Sequence, residues 1–293
     1  NLAHTPGGSS SGSAAAVADF MVPLCLGTQT TASVIRPAAF CGIVGYKPTY
    51  GDFDKSGILA NAPTMDTLGI MARTIDDVGL LRAILLEETP QAIADMALSD
   101  VKFGLLNVPP WNTAEPETRR VIEALADDLA GAGARQVDVA IGDQVTRLIE
   151  LHRLISGYEF GRSIAYERTR HLDELSAVLR EGRLADGREV DSRRYPDLIR
   201  EAAFLRASLA EAFTGVDILV SPSAAGPAPA SLESTGDAAF SAAWSLAGNP
   251  VITLPLFQAT DTAMPIGCQL IAGFGEDEKL LNVSQAIMTR FQS

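Results

Sequence analysis

Val121, Leu125 and Leu129 stand four apart among Glu, Asp and Arg in "AEPETRRVIEALADDLAGAGA". That spacing predicts one apolar face of a helix, which the glycines from 131 to 133 should stop. A similar pattern runs through "ARTIDDVGLLRAILLE", capped by Thr74 or Asp76, and through "DEKLLNVSQAIMTRF" near the C-terminus. Between them lie apolar runs of strand length: "FMVPLCLG" ending at Gly27, "VKFGLLNV", "QVDVAI", "VDILVSPS", "GNPVITLPL" and "PIGCQLIAG". Helical and strand patterns in turn predict an α/β fold with its chemistry at a strand end.

Two stretches depart from this alternation. From about 145 to 213 Arg and Glu recur at helical spacing with no strand pattern, which predicts a helical layer covering the sheet. "PAAFCGIVGYKPTYGDFDKSG" carries Pro37, Gly42, Gly45, Pro48, Gly51 and Gly57, and is expected to wind through tight turns. Residues 12 to 19 suit a helix whose N-terminus lies in a serine cluster, and "TQTTAS" after Gly27 reads as a polar loop.

Composition narrows the function classes. With 293 residues, 47% of them hydrophobic, the chain can bury a large core, read here as one domain over 1–293. A formal net charge of −13 with only 23 Lys and Arg argues against a nucleic-acid partner. No run reaches the ~18 apolar residues of a membrane span, and no charged-then-apolar leader is present, so no membrane partner and a cytoplasmic location are expected. Cys25, Cys41 and Cys268 are an odd, widely spaced set in apolar runs, expected as buried free thiols.

"PGGSSSGSAAAVA", from Pro6 to Ala18, is the stretch that asks for chemistry. A serine N-cap after a flexible Gly-Gly explains one hydroxyl and leaves the others over. His4, His152 and His171 form no ligand spacing with cysteines or carboxylates, so no metal or other cofactor is expected. His4, beside the serines, is either a base or a solvated loop residue. Gly8, Ser10 and Gly12 match a nucleophile elbow in spacing, but "NLAHTP" upstream is no strand. A phosphate loop would need a lysine that this segment lacks.

"GGSSSGSAAAVA" followed by "VPLCLGTQTTASVIRPAAFCGIVGYKPTYG" resembles the amidase signature family over nearly its whole length. "MDTLGIMART", "SLAGNPVITLPL" and "PIGCQLIAG" extend the likeness. The resemblance implies the amidase-signature fold, an α/β architecture with a central mixed sheet flanked by helices on both faces. It implies amide hydrolysis by a Ser, cis-Ser and Lys triad. Ser33 stands at the nucleophile, and Ser9, 24 residues earlier, at the bridging serine that follows a cis peptide bond. Backbone N–H groups of Thr30, Thr31, Ala32 and Ser33 stand at the oxyanion hole. Gly8 and Ser10 are placed as supporting residues, while Ser11 and Ser13 cap or pack. The implied partner is a small-molecule amide, with a homodimer left open.

The sequence departs from the family in three places. Thr31 and Ala32 replace a small pair that is commonly Gly-Gly, and a β-branched Thr would be strained if that backbone needs positive φ. Gln29 stands where Asp is frequent, and Arg36 follows Ile35 rather than preceding it. Removing the acid and moving the base together leaves neither charge unpaired, which reads as a subgroup feature. The family's lysine lies upstream of Gly-Gly-Ser; Lys47 matches a non-catalytic family lysine, and Lys55, Lys102 and Lys279 match nothing catalytic. The chain is therefore expected to be the C-terminal part of an amidase. Alternative readings are an amidotransferase glutaminase releasing ammonia from glutamine, and an inactive ligand-binding remnant. Pocket walls are expected from parts of 145 to 200 and a loop near Trp244, with Tyr50 and Trp244 themselves packing in the core.

Overall fold

The computed structural model describes residues 1–292. An eight-stranded mixed sheet forms from β1 (Leu24–Gln29), β2 (Val44–Lys47), β3 (Thr67–Ala72), β4 (Lys102–Leu105), β5 (Arg135–Gln136), β6 (Ile218–Pro222), β7 (Val251–Gln258) and β8 (Pro265–Ala272). The spatial order is β1-β3-β2-β7-β8-β6-β4-β5. Pairings from β1 through to β6 are antiparallel, and β6–β4 and β4–β5 are parallel.

Period-2 alternation sends neighbouring side chains to opposite faces. Ile218, Val220, Leu270 and Ala272 join one core with α3 (Ile75–Leu85), α4 (Pro116–Gly131) and α10 (Asp277–Gln292). Leu219, Ile271 and Val251 join a second with α5 (Gly142–Ser163), α8 (Tyr195–Ala212) and α9 (Ala239–Ala247). α6 (Ala165–Arg170) and α7 (Leu184–Arg188) complete the helical layer expected over 145 to 213. No helix among the described residues is long and apolar enough to cross a membrane.

The stretch expected to wind through turns instead holds α2 (Ile35–Cys41) and β2. Pro37 falls in the first turn of α2, where its missing N–H is no loss, and Gly42 at φ +68 ends the helix. α2 lies close on the sheet: a Cβ added to Gly267 would sit 2.4 Å from Ala39 Cβ. "QVDVAI" forms only the two-residue β5, at the outer edge of the sheet, where just one neighbour holds it. Thr74 caps α3, its hydroxyl accepting from Asp77 N.

The cysteines are free, but only Cys268 is buried; Cys25 and Cys41 are partly exposed because they lie near the margin of the sheet and helix α2. Trp244 lies within α9, fully buried, rather than beside a loop, because α9 packs its apolar face into the second core.

Lys47 ends the central strand β2 with no exposure at all, its Nζ donating to Pro48 O at 2.8 Å. Beside it Asp277 accepts from Tyr46 Oη, Thr49 N (2.9 Å) and Thr49 Oγ1 (2.5 Å). Burial holds the Lys47 ammonium down to about 7, against the opposing pull of Asp277 and Asp52. Between that value and the ordinary one near 10.5 the unfolded chain binds a proton that the fold does not, so stability rises with pH there. Thermal melts from pH 7 to 10 are expected to show this rise, and Lys47→Met is expected to flatten it.

Candidate active site

β1 delivers a loop, residues 30 to 34, onto the N-terminus of α2, and Gln29 sets its shape. Val34 supplies no side-chain cap to α2. Buried Gln29 does so instead, its Oε1 accepting from Val34 N at 2.9 Å and Ile35 N at 3.0 Å. Its Nε2 donates to Ser245 Oγ at 3.0 Å, and that hydroxyl donates to Thr31 O at 2.7 Å.

The loop carbonyls all have donors. Thr30 O takes His152 Nε2 at 3.0 Å, Ala32 O takes Arg36 N at 2.9 Å, and Ser33 O takes Ser10 N at 3.3 Å. By contrast, the N–H groups of Thr30, Thr31, Ala32 and Ser33 donate to no protein acceptor among the described residues. Four unspent N–H groups in succession, on residues that are buried (Thr30, Ala32) or half-buried (Thr31, Ser33), are donors available to an external oxygen. Neither Thr31 nor Ala32 takes positive φ, so the β-branched side chain sits here without strain.

The two threonine side chains are anchored as well. Thr30 Oγ1 donates to Asp66 Oδ1 at 2.6 Å and accepts from Asn61 Nδ2 at 3.0 Å. Thr31 Oγ1 accepts from Arg183 Nη2 at 3.1 Å.

The serine segment lies alongside. Its contact is the Ser10 N to Ser33 O bond, which brings Ser9 and Ser10 to the loop. The Gly8–Ser9 peptide is cis, and Ser9 is exposed. Arg36 holds this segment from behind, with Nη2 donating to Gly8 O at 2.7 Å and Thr235 Oγ1 at 3.1 Å and Nη1 to Gly236 O at 2.5 Å. Burial pulls the Arg36 guanidinium down to about 10. A Cβ on Gly8 would lie 2.6 Å from Thr235 Cγ2, so only glycine fits beneath that loop.

Ser10 precedes α1 (Ser11–Ala18) but makes no side-chain cap bond. Its Oγ turns to Thr28 O at 3.4 Å, and Ser13 Oγ to Leu26 O at 2.9 Å, so both hydroxyls fasten α1 to β1. His4 Nδ1 is tied to Ala228 O at 2.7 Å. Lys47 and Lys55 spend their Nζ groups on Pro48 O and Asp66 O, and Lys279 pairs with Asp217 and Glu276.

Sequence reading missed His152, Ser245, Asn61, Asp66 and Arg183. "SLAGNP", which holds Ser245, and "MDTLGIMART", which holds Asp66, gave a signal, as matched segments without an assigned role. Since Thr30 O can only accept, His152 carries its proton on Nε2. Burial foremost lowers His152 to about 4, with Arg183 adding to the effect. Its folded value lies below the ordinary 6.5, so stability is fully present above that pH and falls as pH drops toward 4. Wild type is expected to lose up to about 3 kcal/mol across this window through His152. His152→Gln, which keeps an N–H donor, should lose less, as read from urea midpoints at pH 7 and 4.5.

The amidase family profile matches residues 1–281. The glutamyl-tRNA(Gln) amidotransferase of Bdellovibrio bacteriovorus has a component polypeptide that is 30% identical, over 98% of this chain and 68% of its own length. A crystal structure of an amidase superposes with a TM-score of 0.89 at 30% identity, covering 99% of this chain and 68% of the other. Native peptide amidase from Stenotrophomonas maltophilia gives 0.77 at 25% identity, covering 100% and 67%. A match that runs through the serine segment, the anchored loop and all eight strands places the chain in the amidase family.

Proposed function

We propose that this chain hydrolyses a carboxamide through an acyl-enzyme on Ser33. The observation that carries the reading is the loop at residues 30 to 33, with every carbonyl bound and every N–H unspent. Ser33 Oγ attacks the amide carbon, and its proton passes to Ser9 Oγ as Ser9 gives its own proton to a base. In the family that base is a lysine; among the described residues none of this chain's four lysines contacts Ser9 or Ser33. The tetrahedral oxyanion lies against the N–H groups of Thr30 to Ser33, where each preorganised donor contributes about 3 kcal/mol. Collapse breaks the C–N bond, the amine leaves with the relayed proton, and water then cleaves the acyl ester to free the acid.

Ser10, Gly8 and Arg36 hold Ser9 in place, and Gln29, Ser245 and His152 hold the loop. The chemistry uses no cofactor. The free thiols support a reducing, cytoplasmic setting. Intact mass of the gene product after treatment with a fluorophosphonate tests the reading: one adduct, mapped to Ser33, is expected, and an unmodified Ser33 would refute it.

The 30% identical Bdellovibrio relative favours a second reading, as the glutamine-hydrolysing component of an amidotransferase. Ammonia release from glutamine that depends on added partner proteins would favour it; release by this protein alone would favour the free-standing amidase.

A further inference from the structure

α5 carries two buried polar side chains seven residues apart, His152 and Glu159. Two helical turns place them on one face, about 10 Å apart along the axis. His152 holds the site loop directly, through Thr30 O. Glu159 holds the turn at residues 61 to 66 instead. Its Oε2 accepts from Thr64 N at 3.1 Å and its Oε1 from Thr64 Oγ1 at 2.7 Å, while Tyr195 Oη on α8 donates to the same Oε1 at 2.5 Å. All three donors are neutral. Burial first, and then Glu159 itself, raise the Tyr195 phenol above its ordinary value, which keeps the proton on Oη. Between the two residues Gly157 lets α7 approach so closely that an added Cβ would lie 2.7 Å from Gly187 N, and this packing fixes α5 at that level.

The turn leads back to the loop. Asp66 Oδ2 accepts from Asn61 N at 2.6 Å and Ala62 N at 2.8 Å, closing the turn on itself, and Oδ1 takes the Thr30 hydroxyl at 2.6 Å. Tyr50 Oη donates to Pro63 O at 2.6 Å and Lys55 Nζ to Asp66 O at 2.7 Å, so both flanks of Thr64 are pinned. Thr64 itself gives its N–H and its hydroxyl to Glu159. Thr30, the first donor of the proposed oxyanion loop, is thus fixed from α5 twice: at its carbonyl by His152, and at its side chain through the turn.

We infer that Glu159 is a positioning residue for the hydrolysis: by holding Thr64 it sets the turn at 61 to 66, and through Asp66 it aims the Thr30 N–H at the developing oxyanion. This rests on the hydrolase reading above. An oxyanion donor acts most strongly once charge has built on the carbonyl oxygen, so slackening it weakens transition-state binding and leaves ground-state binding nearly untouched.

The kinetic test uses the intact gene product with 4-nitroacetanilide. Glu159→Leu is expected to lower kcat by about 10- to 30-fold with KM within about twofold of wild type. Glu159→Gln should restore kcat to within about threefold, because its amide oxygen can accept from Thr64 N while its NH2 donates to the Thr64 and Tyr195 hydroxyls, which accept as readily as they donate. An unchanged kcat in Glu159→Leu, a rise in KM in place of the fall in kcat, or a loss that Glu159→Gln does not restore overturns the proposal. Should Glu159→Leu fail to fold, Thr64→Val carries the test, with kcat down about threefold at constant KM expected and an unchanged kcat overturning it.

Hydrogen–deuterium exchange of the same proteins needs no turnover. Glu159→Leu, or Thr64→Val in its place, is expected to speed exchange in two segments, the turn at 60 to 67 and the loop at 28 to 36, by about tenfold in Glu159→Leu, with Glu159→Gln close to wild type. Faster exchange in the turn alone would show a purely local role and overturns the proposal. Faster exchange in both segments, in a protein whose wild type hydrolyses no amide and takes no fluorophosphonate, would leave the link from Glu159 to the loop standing and remove the hydrolase reading.

Discussion

Ser33→Ala is expected to lower kcat/KM for a reactive amide by about a thousandfold or more and to abolish fluorophosphonate labelling. No other hydroxyl takes its place: Ser10 is spent on Thr28 O, and Thr31 Oγ1 is held by Arg183. Ser9→Ala should slow turnover by a comparable factor, since in the proposed relay both residues serve one proton transfer and their effects do not add. The two variants differ in labelling, which Ser9→Ala should retain at a reduced rate. Initial rates and intact masses of both proteins check this. A Ser33→Ala protein that still forms the adduct would end the assignment.

Gln29→Leu carries the second large effect, on stability and turnover together. It leaves the N–H groups of Val34 and Ile35 buried without an acceptor, at about 1–3 kcal/mol each, and strips Ser245 of its donor. A fall in Tm on the order of 10 °C is expected for a chain of this size. Because the loop's N–H groups lose their alignment, kcat should fall with little change in KM. Gln29→Glu keeps both acceptor contacts and loses only the donation to Ser245, so its Tm should lie between the two. Equal melting of Gln29→Leu and wild type would show that the loop is shaped elsewhere.

Much of the architecture was legible because it rests on local periodicity. The Val121, Leu125 and Leu129 face, the Thr74 cap and the strands from "VDILVSPS" onward declare themselves within a few residues. α2, β2 and β3 were hidden for a physical reason. A proline is harmless in a first turn, and short strands buried on both faces show no alternation.

The site divides in the same way. Ser9, Ser33 and the loop between Gln29 and Val34 sit in one contiguous motif. His152, Arg183 and Ser245 approach the loop from more than a hundred residues away, and no spacing in the chain announces them. Gln29 and Arg36, singled out in the sequence as departures, each have a structural use: the Gln29 amide oxygen caps α2, and the Arg36 guanidinium donates to the Gly8 and Gly236 carbonyls.

The hydroxyls of Ser10 and Ser13 also bear on the company this protein keeps. Among the described residues β1 has a single strand neighbour, and carbonyls two residues apart point the same way, so Leu26 O and Thr28 O face a common rim already claimed by the first helix. A stray extended peptide finds little template there, which guards the strand leading into residues 30 to 34 against runaway self-association.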